Sequence, residues 1–356
     1  MKKLIHIMAL LVASFPAMGQ LRYGANLDYY FDNREFDISD EKYLESETLH
    51  SVRLTPAIAY DIVSDASRHS LTLGLDIFRD MGSHRELSDS FQELTLYYDY
   101  SHEYAGGGNF ALVAGVFPRR KTEGEYGEMI WSEALRYYDP NLEGMLVKYG
   151  NSKFYTELGC DWSGKYSYDI RERFQIFSYG GWTPSQWLKL GWSGLFYHYA
   201  TSEIAKNVID NHTLCAFVNV DLSRWTGFFD EWSLRATGIA GYQRSREIDP
   251  KPVIPAGGEF SMLMRKWNLS LLNTVYAGGN MQHYFDRPRP EGGIYGFDLY
   301  ASSPYYRGFY GRSEISWQPK ITDFVSMRIS ARFHYDGSGF LGSQQLVTLL
   351  VTVGEH

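Results

Sequence analysis

The charged side chains of this sequence offer electrostatic rather than covalent chemistry. Arg119, Arg120 and Lys121 stand in a row, and Glu123, Glu125, Glu128 and Glu133 follow closely. Arg53 lies far upstream, while Arg312, Glu314, Arg328 and Arg332 lie near the C-terminus. Four residues apart in one strand, Arg328 and Arg332 share a face at a spacing of about 13 Å. A basic set and an acidic set opposed across a narrow water passage create a transverse field. Polar solutes align in such a field, and apolar ones lose hydration there. The row Arg119, Arg120, Lys121 also suits phosphate or carboxylated sugars, although a charge run at a strand end is more often a solvated cluster.

Catalytic groups are sparse by comparison. His50, His69, His84, His102, His198, His212, His283 and His334 are scattered along the chain. His84 with Asp80 and Asp89, or His212 with Asp210, are the pairings on offer. Asp210 and His212 are expected on opposite faces of their strand. Neither pairing comes with G-x-S-x-G, H-E-x-x-H or a phosphate loop, so no catalytic residue is assigned. Cys160 and Cys215 are too few for a disulfide framework or a structural zinc site. No cofactor and no metal are expected.

These charges must sit on strands. From Thr322 to Asp336, Val325, Met327, Ile329, Ala331, Phe333 and Tyr335 take one face, against Ser326, Arg328, Ser330, Arg332, His334 and Asp336 on the other. That is period two, the pattern of a strand with one apolar and one polar face. Glu231–Gln243 alternates likewise, with Ile239 the one mismatch, as do His50–Asp61, His69–Arg79 and Thr213–Leu222. Strands in soluble domains average about 5–6 residues, whereas these reach the length needed to cross a bilayer at a tilt. Ionised side chains in mid-strand must face something wet. Tyr98, Tyr100, Trp187, Tyr197, Tyr199, Trp225, Trp232, Tyr242, Trp317 and Tyr335 end the apolar faces, where amphipathic rings meet headgroups.

Composition agrees. Of 356 residues, 44% are hydrophobic and 16% aromatic, with 34 Gly against 12 Pro, which favours β-structure with many turns over disorder. A net charge of −8 leaves no polybasic footprint, so nucleic acid is not an expected partner. At the N-terminus, Lys2 and Lys3 precede an apolar run from Leu4 to Val12, and Ala17-Met18-Gly19 has small residues at −3 and −1. Residues 1–19 therefore read as a signal peptide cleaved after Gly19, and residues 20–356 as one domain. No later stretch approaches the ~18 apolar residues of a spanning helix. About sixteen strands can be placed, within a range of fourteen to eighteen. Counted from an inner start, they leave mostly short inner turns and longer outer loops at 33–47, 80–89, 119–141, 200–210, 245–256 and 278–306.

Export signal, alternating strands, aromatic girdles and loop asymmetry together resemble Gram-negative outer-membrane β-barrels of the general porin type. The segment from Ala111 through Arg119 to Gly144 carries the most specific part of the likeness. It is the third outward connection, and in porins the third loop folds into the barrel and constricts it. The resemblance implies an all-β, transmembrane antiparallel barrel in the outer membrane, with lipid and small hydrophilic solutes as partners. It further implies that acidic Glu123, Glu125, Glu128 and Glu133 face a basic wall of Arg53, Arg312, Arg328 and Arg332. The expected function is diffusion of small hydrophilic solutes. A non-conducting binding or structural barrel and a rim-active enzyme are the alternatives. The pattern suits a homo-oligomer as well as a monomer. The chain departs from many such barrels in ending Val351-Thr-Val-Gly-Glu-His356, without a terminal aromatic residue. The loop from Gly278 to Tyr306, rich in Tyr with Pro288 and Pro290, reads as a surface loop packed by its own rings rather than a glycan site.

Overall fold

A computed structural model describes residues 19–36, 46–82, 87–300 and 305–354. The expected signal peptide lies outside the described residues except for Gly19, and so does His84. Seventeen strands follow one another: β1 (Gly19–Phe36), β2 (Thr48–Val63), β3 (Ser67–Asp80), β4 (Phe91–Glu103), β5 (Asn109–Pro118), β6 (Asn141–Gly150), β7 (Phe154–Gly164), β8 (Arg173–Ser185), β9 (Leu188–Tyr199), β10 (Ile209–Asp221), β11 (Glu231–Ser245), β12 (Asp249–Val253), β13 (Ala256–Lys266), β14 (Leu269–Gly278), β15 (Phe309–Trp317), β16 (Val325–Asp336) and β17 (Gly339–Gly354). The short β12 is a flap on the outer end of β11, which itself pairs on to β13. The other sixteen make the wall of a closed antiparallel barrel.

Closure is made by β1, which pairs with both β2 and β17, as in Asp28 opposite Arg53 and Leu350. A closed antiparallel wall satisfies every ladder N–H and C=O within the protein, which is what allows strands to stand in hydrocarbon. The alternation of each strand then sorts side chains. Leu54, Leu71, Leu94, Leu214, Phe260 and Ile315 are exposed on the outside, while Arg53, Asp76, Glu157, Glu314 and Arg332 are buried within.

Expected and observed strands differ in detail. Tyr197 and Tyr199, expected in the aromatic girdle, lie on the inner face of β9 and are buried against the rings of Tyr284, Phe285 and Tyr295. The strand expected from Thr322 starts at Val325, because a bridge between Lys320 and Ser326 closes the preceding residues into a turn. Ile239 does face inward with Arg235 and Thr237, and it is buried in an apolar cluster rather than wet. The two-residue turn between β13 and β14 holds Trp267 at φ 52° and Asn268 at φ 66°, the paired left-handed conformation of a type I′ hairpin. In β5, Gly115 lies against β4 so closely that a Cβ there would sit 2.2 Å from the Leu96 carbonyl oxygen.

Candidate functional site in the lumen

The third outer loop (residues 119–140, here L3) begins at a tight 3-10 turn, Arg119–Lys121. It turns back into the barrel. Lys121 Nζ meets Asp99 of β4 at 2.7 Å, and Lys148 near the inner end of β6 pairs with Glu123. Glu125 crosses to the far wall, where Lys189 of β9 lies at 2.5 Å and Arg235 of β11 at 2.9 Å. Glu128 lies 3.6 Å from Arg312 of β15. A short helix, α1 (Glu133–Tyr138), is capped by Ser132, whose Oγ accepts from the Leu135 N–H at 3.1 Å. This cap fixes Glu133 beside β16, paired with Arg332 and 3.7 Å from Arg328.

Apolar packing seats the loop as firmly as charge does. Tyr126, Met129, Ile130 and Trp131 are buried against Val113, Phe117, Leu142, Leu146, Phe177 and Tyr179 of the wall. Trp131 stacks near Tyr126 at 4.2 Å and lies under the Arg119 guanidinium at 4.8 Å. On the opposite side Tyr137 stacks on Tyr30 of β1 at 4.2 Å and shares a 2.9 Å hydrogen bond with Ser51 of β2. The signal for this packing is present in β5, where Phe110–Phe117 is apolar on both faces. Such a run needs cover on both sides.

Of the expected loop carboxylates, Glu128 and Glu133 reach the expected wall at Arg312, Arg328 and Arg332, whereas Glu123 and Glu125 go instead to Lys148, Lys189 and Arg235. The acidic loop and the basic wall touch as ion pairs rather than facing each other across water, so no open transverse field separates them. Arg53 does not meet a loop carboxylate. It pairs with Asp76 on the neighbouring β3 and donates to the Tyr138 carbonyl at 3.3 Å, because the register of β2 and β3 brings an acid within reach first. Arg119 is also spent locally, 3.2 Å from Asp139 and 3.7 Å from Asp161 of β7. Glu314 is buried behind Glu133, 2.7 Å from Arg332 Nε and paired with Arg328.

Burial alone would raise the Glu133 carboxyl, but the Arg332 and Arg328 guanidiniums outweigh it and hold it below the usual carboxylate range. Asp139 moves the other way, raised by burial in spite of Arg119. The Tyr137 phenol is pushed up to about 12, chiefly by burial.

Two cavities adjoin the base of L3. One, of about 390 Å³ at mid-height, is lined by Arg53, Arg119, Arg120, Arg136, Asp28 and Glu123, with Tyr97, Trp131 and Tyr137 as aromatic walls. Four arginines against two carboxylates make it basic. The other, of about 380 Å³ nearer the outer loops, is acidic, with Glu93, Asp139, Glu143 and Asp161 against Arg173. Asn141 lines both.

The seventh outer loop (here L7, described over 279–300 and 305–308) is exposed around Pro288 and Pro290, but its rings turn onto the barrel. Tyr284 and Tyr295 are buried beside Tyr197, Tyr199 and Ile209 of the wall, and Tyr305 is buried against Glu259. Arg171 from the fourth outer loop holds Glu291 at 2.5 Å. These rings pack on the barrel, as well as on each other.

Residues 16–258 match the family model described as Lipid A 3'-O-deacylase-type. This is about two-thirds of the sequence, and the chain belongs to that family. No curated protein matches it. Among solved structures it is similar to OmpT (in-vitro folded), an outer membrane protein of Vibrio cholerae, with TM-score 0.54 and 8% identity over 96% of this chain and 99% of that one. It is likewise similar to an anion-selective porin from Comamonas acidovorans, with TM-score 0.52 and 10% identity over 95% of this chain and 100% of that one. The shared fold is the outer-membrane barrel, and the protein is an outer-membrane protein.

Proposed function

We propose that this family member is a narrow channel for small hydrophilic solutes, with L3 as its constriction. One observation carries the reading: the loop's carboxylates are pinned to cations on β6, β9, β11, β15 and β16, around most of the lumen. A loop held at so many points narrows the bore without leaving it free to move. The two cavities lie beside its base, and a solute moving inward meets the acidic one first and the basic one second. Each is large enough for a small polar molecule, and arginine with flanking aromatic rings favours carboxylated or hydroxylated solutes. The anion-selective porin among the similar folds is compatible with a basic inner cavity. The test is single-channel conductance of the purified chain in a planar bilayer, with reversal potentials in a salt gradient. Discrete steps with an anion-leaning reversal are expected. Silence from folded, heat-modifiable protein overturns the channel.

A second reading rests on the family and on one contact. Lipid A 3'-O-deacylation is ester hydrolysis, which calls for a nucleophile beside a base. Ser67 Oγ lies 2.7 Å from His102 Nδ1 where β3 pairs with β4, at the inner rim. This reading makes Ser67 the nucleophile and His102 its base. It expects release of fatty acid from lipid A presented in mixed micelles, lost in Ser67→Ala. No fatty acid release by the folded wild type eliminates it.

A further inference from the structure

We propose that the two cavities beside L3 form one site for a zwitterionic peptide of two or three residues, its ammonium group in the outer, acidic cavity and its carboxylate in the inner, basic one. The inference rests on the reading of L3 as the constriction of a channel and names the solute class selected there. One short element serves both halves. Arg136 of α1 lines the inner cavity, and Asp139, the residue that ends α1, lines the outer one. Positions three apart in a helix are about 4.5 Å apart along its axis. Asn141 lines both cavities and lies between two carboxylates, its amide nitrogen 3.1 Å from Asp76 and 2.7 Å from Glu93.

The charges around the site divide into those spent on each other and those left over. Arg53 is paired with Asp76, and both side chains are buried. Arg119, also buried, is shared by Asp139 and Asp161. Arg120 and Arg136 are different. Both line the inner cavity, both are exposed, and neither is ion-paired among the described residues. Their contacts are with neutral groups: Arg120 reaches the Asn26 amide oxygen, and Arg136 donates to the Tyr126 carbonyl at 2.6 Å. Glu123 is taken by Lys148, so Asp28 is set against two arginines and positive charge is in excess. In the outer cavity Glu93 is held by an amide rather than a cation. Asp139 lies deep in the bore, yet 54% of its side chain is accessible, and the guanidinium it touches is shared with Asp161. Arg173 stands on the same wall and donates to the Ser163 carbonyl at 3.3 Å, and the cavity remains negative.

Opposite charges in series select at both ends of a solute. A molecule with one sign of charge gains in one cavity and is repelled in the other, and the repulsion is what discriminates. A zwitterion gains in both. Length follows from the same arrangement. A free amino acid carries both charges on one carbon and occupies one cavity or the other. At about 3.5 Å per residue, a chain of two or three residues spreads its end charges over about 7–10 Å, enough to place one in each cavity. Arg120 and Arg136 then hold the carboxylate by charge-assisted N–H donors, and Glu93 and Asp139 accept from the ammonium group.

The experiment records the wild-type chain in a planar bilayer with trialanine added, beside N-acetyl-trialanine and trialanine amide, each of which lacks one end charge. Trialanine is expected to block the current at a concentration about tenfold or more below that of either capped peptide, the loss of one charge-assisted contact. Arg136→Gln is expected to weaken the trialanine block and to narrow its preference over the amide. Glu93→Gln is expected to narrow its preference over the acetylated form instead. Equal block by all three peptides in a conducting wild type overturns this proposal and leaves the channel standing. Absence of conductance steps overturns the channel, and equilibrium dialysis of radiolabelled trialanine against the folded protein in detergent then decides the site. Retention that either cap abolishes upholds it, and no retention overturns it.

Discussion

Glu133 of the third outer loop is ion-paired with Arg332 of β16, joining residues 199 positions apart in the chain across the inside of the barrel. Arg332 also holds Glu314 of its neighbour strand at 2.7 Å, so one guanidinium serves a wall carboxylate and a loop carboxylate together. The Arg332 side chain is 6% exposed. In such a setting removal of one partner leaves the other charges buried and uncompensated.

Arg332→Glu should therefore release α1 from the wall, at a cost of about 3–5 kcal/mol to loop docking. Larger and noisier conductance steps are the expected readout. The exchange Arg332→Glu with Glu133→Arg should recover part of the wild-type step size. Steps unchanged in the single variant would show that this pair does not hold the constriction.

Acidification should loosen the same contact. A carboxyl whose folded pKa is depressed contributes stability above its unfolded pKa, and that contribution is lost as pH falls through the folded value. Glu133 is in this class, facing Arg332, Arg328 and Arg312 with Glu314 behind. Asp139, raised by burial, works in the opposite sense at the other end of the loop. Below about pH 4, where free carboxyls protonate, the α1 end should come loose before the base does. Conductance recorded from pH 6 down to pH 3 should rise as the α1 end is freed. A flat profile would place the anchoring elsewhere.

Trp131→Ala tests the apolar half of the anchorage. Trp131 is buried among Tyr126, Phe177 and the Arg119 guanidinium. Its truncation should cost about 3–5 kcal/mol, with the wall strands intact. Limited proteolysis with trypsin should then cut at Arg119, Arg120 or Lys121 in the variant and spare the wild type.

Arg120→Glu should move ion selectivity toward cations. Arg120 lines the basic cavity, and its guanidinium reaches the Asn26 amide oxygen at 2.7 Å with that amide turned to accept. Reversing one of four arginine charges there leaves three cations against three carboxylates, so the cavity loses its net positive charge. The reversal potential in a salt gradient should shift accordingly, with step size little changed. An unshifted potential would mean that ions do not pass through this cavity.

Much of this was legible in the residue order. Arg328 and Arg332 are two strand periods apart, which alone places them on one face, and the apolar face opposite them requires lipid or a core. Other features were not. Asp210 and His212 share the outward face, against expectation, because residues two apart in a strand point the same way. Their neighbours His198, Arg244, Phe196 and Tyr242 come from other strands, and the register that aligns them is set by hairpins too distant to read. That the rings of L7 pack on Tyr197, Tyr199 and Ile209 of the wall was not legible, because those aromatic residues carry no period to say what they pack against.

The amino-acid order by itself determined the strand character, the two faces of each strand, and hence a barrel with a charged lumen. These follow from local sterics and from the period-two exchange of water for lipid, which need no knowledge of distant partners. Tertiary structure alone decided which charge meets which. Arg53 goes to Asp76 and Arg332 to Glu133 because barrel closure and the inward fold of L3 set the distances, and Coulomb attraction inside a protein depends on a few ångströms. The same closure turned two facing charge sets into contacts and left two cavities beside them.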